Sequence, residues 1–187
     1  MFRELLVREF APYGSLTTKQ IDALEAHYNL LTHWNARLNL TRIESVEDAV
    51  RLHYCESLFV AIRLPGGPLR IVDVGSGGGF PGIPIAIVRP ECAITLVESH
   101  QRKGVFLREA SRNLKNVAVV TDRAENLKAA YDWLVSRAVS PDEVRKLKLA
   151  NNLALLVGAG EVPGFYRGEP IPWGASRYLV FHVKHPC

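Results

Sequence analysis

The chain has 187 residues with 48% hydrophobic and 22% charged content, which suits one globular unit with a sizeable core. No apolar run approaches the roughly 20 residues of a membrane span, and "MFRELLVREF" at the start mixes acids and bases, unlike a signal peptide. A net charge of +4 leans towards a polyanionic partner, while three widely spaced cysteines (Cys55, Cys92, Cys187) argue against a disulfide framework and fit a reducing cytoplasm.

The first third reads as helical. From Thr18, apolar residues recur at Ile21, Leu24, Tyr28, Leu31 and Trp34, the spacing of one buried helix face, with Thr17 or Thr18 as cap. "ARLNLTRIES" interrupts this helix. Ser45 then precedes Val46, Ala49, Val50, His53, Tyr54 and Leu58, again at helical spacing, and "LPGGP" at 64–68 breaks the chain. Beyond it the rhythm changes. "LRIVDV" has no polar alternation and predicts a strand buried on both faces. "GIPIAIV" predicts a short helix with prolines near its first turn, and "AITLVE" a second strand. "QRKGVFLREASRNL" predicts a helix with Val105, Phe106, Ala110 and Leu114 on its apolar side. "VAVVT" and "YDWLVS" predict a third and fourth strand, "PDEVRKLKLANN" a helix, "LALLVG" a fifth strand and "SRYLVFHVK" the last. Alternating strands and helices imply an α/β, Rossmann-like fold: a mainly parallel twisted sheet with helices on both faces. Residues 1–64 would form a helical extension packed on a core of residues 65–187, one structural unit overall.

"DVGSGGGFPGIP" lies where the first strand turns into a helix, the place where backbone amides and a helix start meet ligands. A phosphate-binding Walker loop needs GK[ST], and Phe80-Pro81 stands there instead. The dinucleotide pattern GxGxxG starts with Gly75 and Gly77 but has Phe80 at its third glycine. The spacing Gly75-x-Gly77-x-Gly79 suits a bulky ligand without a pyrophosphate, with Phe80 packed beside it. S-adenosylmethionine fits that description better than NAD does. Glu98 follows Gly75 by 23 residues, close to the roughly 20-residue spacing of an acid that holds ribose hydroxyls.

The segments "DVGSGGGFPGIP", "VESHQRKGVFL", "DRAEN" and "SRAVSP", with "HWNARLNLTRI" upstream, resemble the glucose-inhibited division protein B family (GidB, also called RsmG) over about residues 20–141. The resemblance implies a class I methyltransferase fold and transfer of a methyl group from S-adenosylmethionine to N7 of a guanine in the 530 loop of 16S ribosomal RNA. It implies cofactor contacts at Gly75, Gly77, Phe80, Glu98, Ser99, Ala124, Glu125 and Arg137. Arg137 is expected on the methionyl carboxylate or on an RNA phosphate, since a cation repels the sulfonium. The chain departs from the family where Glu56 replaces Asp in "HYCESL" and where Val157, not lysine, precedes Gly158 in a compressed C-terminal part.

N7 of guanine has a lone pair that Watson–Crick pairing leaves free, so no proton must leave before attack. No catalytic acid or base is therefore expected. Candidate RNA contacts are Arg102, Lys103, Arg108, Arg112 and Lys115 on one helix, Arg145, Lys146 and Lys148 on another, and Arg37, Arg42 and Arg51 upstream. Trp34 reads as core rather than a stacking platform, and a zinc site at His182, His185 and Cys187 is not expected. The expected partner is 16S RNA or the small ribosomal subunit, bound by a monomer without metal or membrane. Three alternatives remain: a NAD- or flavin-dependent oxidoreductase, a non-catalytic RNA-binding or ribosome-assembly protein that keeps the fold, and a related methyltransferase acting on a small molecule or protein.

Overall fold

The computed structural model describes residues 1–42, 45–137, 139–161, 167–174 and 177–183. Helix α1 (Phe2–Phe10) buries Phe2, Leu6 and Phe10, and α2 (Thr18–Leu38) buries Leu24, His27 and Leu31. Thr17 caps α2 in a reciprocal box: its hydroxyl accepts from the Gln20 amide at 3.3 Å, and its own amide donates to Gln20 Oε1 at 2.8 Å. The next helix is continuous but not uniform. α3 (Val46–Ala49), capped by Ser45, runs into a π-helical stretch (Val50–Cys55) and then α4 (Glu56–Arg63). Such wide turns often mark functional sites, and this one carries His53 and Tyr54.

The sheet follows. β1 (Arg70–Val74), β2 (Ala93–Val97), β3 (Val117–Val120), β4 (Tyr131–Ser136) and β5 (Ala150–Gly158) are parallel, in the order 3-2-1-4-5. β7 (Arg177–Val183) pairs antiparallel with β5, and β6 (Arg167–Pro170) closes the edge against β7. Between strands lie α5 (Gly82–Val88), α6 (Gln101–Ala110) and α7 (Pro141–Leu147). The sheet is buried on both sides, as the unbroken apolar strands require. Ile71, Trp133, Val135, Ala154 and Leu156 face the N-terminal helices and α5, whereas Val72, Val74, Leu134, Leu153 and Leu155 face α7. Each fully buried aliphatic side chain contributes about 1.5–3 kcal/mol. No helix among the described residues is long and apolar enough to cross a membrane.

Two expectations need correction, and one strand was not foreseen. Val105 is 49% exposed, because it lies two positions from buried Leu107, across the helix; Gly104, Phe106 and Leu107 form the covered side. The helix foreseen over 141–152 ends at Leu147, where Lys148 turns left-handed (φ 52°). The chain then enters β5, with Ala150 and Asn152 paired to Tyr131 and Trp133. β6 had no strand signal, being four residues ending in proline, a composition tolerated at a sheet edge. Trp34 is half-buried against Phe106 at 5.9 Å, as core packing requires.

Candidate functional site

The glycine turn leaves the C-terminal end of β1, beside β2 and β4. Gly75, Gly77 and Gly79 all have positive φ (74°, 52° and 88°), a path that residues with a Cβ rarely follow. Its amides are turned inward. Gly75 and Ser76 donate to the Val97 carbonyl at 2.9 and 3.1 Å, Gly79 and Phe80 donate to the Ser76 carbonyl at 2.7 and 3.1 Å, and Gly77 donates to Glu98 Oε2 at 3.0 Å. These five amides are already engaged, so the loop is no phosphate cradle of the dinucleotide type.

Glu98 stands immediately after β2 and is 8% exposed. Its second oxygen, Oε1, accepts from the His100 amide at 2.9 Å. Two backbone donors thus hold the carboxylate still, and each oxygen keeps a lone pair for a ligand hydroxyl. Beside it opens a cleft of about 570 Å³ across the C-terminal ends of the parallel strands, within the usual size for a small-molecule site. Gly75, Glu98, Ser99, Ala124 and Glu125 line it. Asp122 and Arg123 join them from the turn after β3, and Val139, Glu143, Lys146 and Leu147 from the β4–α7 side. Four carboxylates (Glu98, Asp122, Glu125, Glu143) therefore face two cations (Arg123, Lys146).

Phe80 and Arg137 occupy the opposite side of the turn, against the N-terminal helices. Phe80 is 6% exposed, stacked on His53 at 4.6 Å and edge-on to Tyr54 and His27. Arg137, just after β4, donates to His53 Nδ1, and its Nη2 lies 3.7 Å from Glu56 Oε2. His53 Nε2 meets the Thr41 hydroxyl at 2.6 Å. Burial, reinforced by the Arg137 charge, holds His53 well below the usual imidazole pKa, so it is neutral and accepts from Arg137. Burial also lowers Arg137 to a pKa of about 10, which leaves it cationic at neutral pH, and raises the Glu56 carboxyl. The eight residues named from sequence thus fall into three groups: five line the cleft, Gly77 fixes Glu98 from within the turn, and Phe80 and Arg137 lie behind it.

Two further residues brace the turn. His27 Nε2 lies 3.0 Å from the Gly78 carbonyl and its Nδ1 2.9 Å from the Tyr54 hydroxyl. Desolvation pushes its pKa down to about 4, so at neutral pH Nε2–H donates to Gly78 while Nδ1 accepts from Tyr54. The N-terminal helices therefore grip the loop directly. Asp73, in β1, is fully buried; Oδ2 accepts from the Gly82 amide at 3.0 Å, whereas Oδ1 has no hydrogen-bond partner among the described residues. Burial raises this carboxyl to a pKa of about 7.

A family model described as rRNA small subunit methyltransferase G (GidB) matches residues 20–169. The chain belongs to this family. It is 43% identical over 129 residues to the Ribosomal RNA small subunit methyltransferase G of Chromobacterium violaceum, covering 67% of this chain and 61% of the relative. To the protein of the same name from Acetivibrio thermocellus it is 35% identical over 147 residues, covering 74% of this chain and 61% of the relative. The chain thus spans less than two thirds of the length of these relatives. Its fold is that of solved methyltransferases. A SAM dependent methyltransferase from Aquifex aeolicus superposes with a TM-score of 0.55 at 14% identity, covering 72% of this chain and 91% of that one. Ribosomal protein L11 methylase from Lactobacillus delbrueckii subsp. bulgaricus gives 0.56 at 15%, covering 69% and 77%. The class I methyltransferase fold expected from sequence is therefore the fold observed.

Asp122 and Arg123 belong to the same "DRAEN" segment that marked Ala124 and Glu125, and the strand-end position after β3 was the signal for them. His27, His53 and Asp73 had no such signal, because their partners are 12 to 84 residues away or are backbone groups. Among the basic candidates, Arg102, Arg112 and Lys115 are exposed on or just after α6, and Arg37 and Arg42 are exposed at the end of α2 and beyond. Arg108 donates to Thr121 Oγ1 at 2.7 Å, and Arg51 pairs with Glu9 at 3.1 Å. Lys146 lines the cleft. His182 lies in β7, while His185 and Cys187 fall outside the described residues.

Proposed function

We propose that this chain transfers a methyl group from S-adenosylmethionine to N7 of a guanine in the 530 loop of 16S ribosomal RNA, acting as a monomer on the small ribosomal subunit. The observation that carries the reading is the state of the glycine turn. Its amides are engaged internally and its cleft is rich in carboxylates, which disfavours a pyrophosphate and suits a phosphate-free, cationic nucleoside. This argues against the oxidoreductase alternative. Family membership and the names of the relatives supply the substrate class.

Glu98 would hold the ribose hydroxyls, the Asp122–Glu125 turn the base, and Gly75 and the turn the middle of the nucleoside. Arg137 would meet the terminal carboxylate at the far end. The bound donor supplies an already activated methyl on sulfur, and the protein's task is alignment. Positioning of this kind contributes about 7–11 kcal/mol when reacting atoms are held roughly 3–3.5 Å apart. In A-form RNA the N7 edge lies in a deep, narrow groove, so the reachable guanine is one splayed from a loop. The exposed cations of α6, with Arg37 and Arg42, would hold the surrounding backbone.

The test incubates the purified full chain and methyl-labelled S-adenosylmethionine with small subunits from a strain lacking this methylation, then maps the product. Label at a guanine N7 of 16S RNA is expected. Donor binding without label would instead support the non-catalytic alternative.

A further inference from the structure

Three charged side chains from distant parts of the chain meet behind the glycine turn. Glu56, at the start of α4, is fully buried; Arg137 follows β4; Arg177 opens β7. Arg177 lies beyond residue 169, where the family match ends. The contacts are unequal. Arg177 Nη2 donates to Glu56 Oε2 at 3.0 Å, and its Nε stands 2.8 Å from Oε1 at an angle that makes no hydrogen bond. Arg137 Nη2 is 3.7 Å from that carboxylate, beyond hydrogen-bond distance. Among the described residues Arg137 makes one hydrogen bond, to the neutral His53.

Among the described residues one carboxylate therefore serves two guanidiniums, and the cluster holds one positive charge in excess. Among the described residues most of the five donors of Arg137 find no hydrogen-bond partner, although its side chain is only 16% exposed. A buried cation in this state is costly until an anion completes it.

We propose that Arg177 is a positioning residue: by engaging Glu56 it stops that carboxylate from closing on Arg137, and so keeps Arg137 available for the terminal carboxylate of the methyl donor. The inference rests on the methyl-donor reading given above. Without Arg177, the buried Glu56 has one cation within reach, and a forked pair with Arg137 becomes its best partner. That pair would withdraw Arg137 from the ligand.

The test measures binding of two nucleosides to the full chain by calorimetry. S-adenosylhomocysteine carries the amino-acid carboxylate, and 5′-methylthioadenosine lacks it. Arg177→Met should weaken the first about tenfold and leave the second within about twofold, the loss of one charge-assisted contact. Arg177→Lys, which keeps the charge, should retain wild-type preference. In the double variant Glu56→Gln/Arg177→Met no carboxylate remains to capture Arg137, so the preference should return; a merely structural defect would worsen instead. Equal weakening of both nucleosides, an unchanged ratio in Arg177→Met, or no recovery in the double variant overturns the inference. An unchanged ratio with weakened 16S RNA binding would assign the oxyanion to an RNA phosphate and overturn it too. If the wild-type chain binds neither nucleoside, the methyl-donor reading fails and takes this inference with it.

Discussion

His27 joins α2 to the glycine turn through one buried hydrogen bond and to Tyr54 of the π-helical stretch through another, and His27→Leu removes both while keeping an apolar side chain in place. The Gly78 carbonyl and the Tyr54 hydroxyl lose their partners, at about 1–3 kcal/mol each, so the variant should lose about 2–6 kcal/mol at pH 7.5. The size of that deficit should depend on pH. His27 has a folded pKa of about 4 against about 6.5 when unfolded, so the unfolded chain binds the extra proton. Its stabilising contribution is complete above pH 6.5 and is lost as the pH falls towards 4. Between pH 7.5 and 5 the wild-type chain gives up about 2 kcal/mol through this group, a loss the leucine variant cannot suffer. The deficit should therefore shrink by about that amount at pH 5. Urea denaturation of both proteins at the two pH values reads it directly. A deficit equal at both would mean that His27 is not held neutral by burial between Gly78 and Tyr54.

Glu98→Ala should weaken S-adenosylhomocysteine binding by about 1–3 kcal/mol, since ribose hydroxyls and the Gly77 amide both lose their acceptor; unchanged affinity in calorimetry removes Glu98 from the site. Gly82→Ala would place a Cβ 2.3 Å from Leu96 Cδ2 and 2.7 Å from Asp73 Oδ2. It should cost about 1–3 kcal/mol in denaturant unfolding, whereas Gly66→Ala, with nothing within 4 Å, should be near neutral. Asp73 has its carboxyl raised to a pKa of about 7 from an unfolded value of about 3.8, so its effect on stability is opposite to that of His27. The folded chain holds the proton longer, and stability declines as the pH rises from 4 to 7. Asp73→Asn cannot ionise and should gain about 3 kcal/mol on the wild type across that range, measured by chemical denaturation. A parallel pH dependence in the two proteins would contradict the buried, half-satisfied carboxyl.

Much of the fold was legible because its signals are local. Apolar runs without alternation marked β1 to β5, and "GIPIAIV" marked α5 to the residue. Glycine spacing and the strand-end acid located the cleft, and five of the eight residues named from sequence line it. What failed locally failed for a tertiary reason. "KLKLANN" has helical composition, yet pairing with β4 draws Ala150–Asn152 into the sheet. β6, four residues long, exists only because β7 offers it an edge.

Sequence by itself determined where the cleft lies, since a strand, a glycine turn and an acid at a set distance are properties of neighbouring residues. Only the tertiary structure decided which amides of the turn are already engaged, and that His27 and Tyr54 hold it from 48 and 21 residues upstream of Gly75. It alone brought Glu56, Arg137 and Arg177 together. Their charges are visible in the chain, but the distance between them, and so their interaction, is set by how the helices close over the sheet.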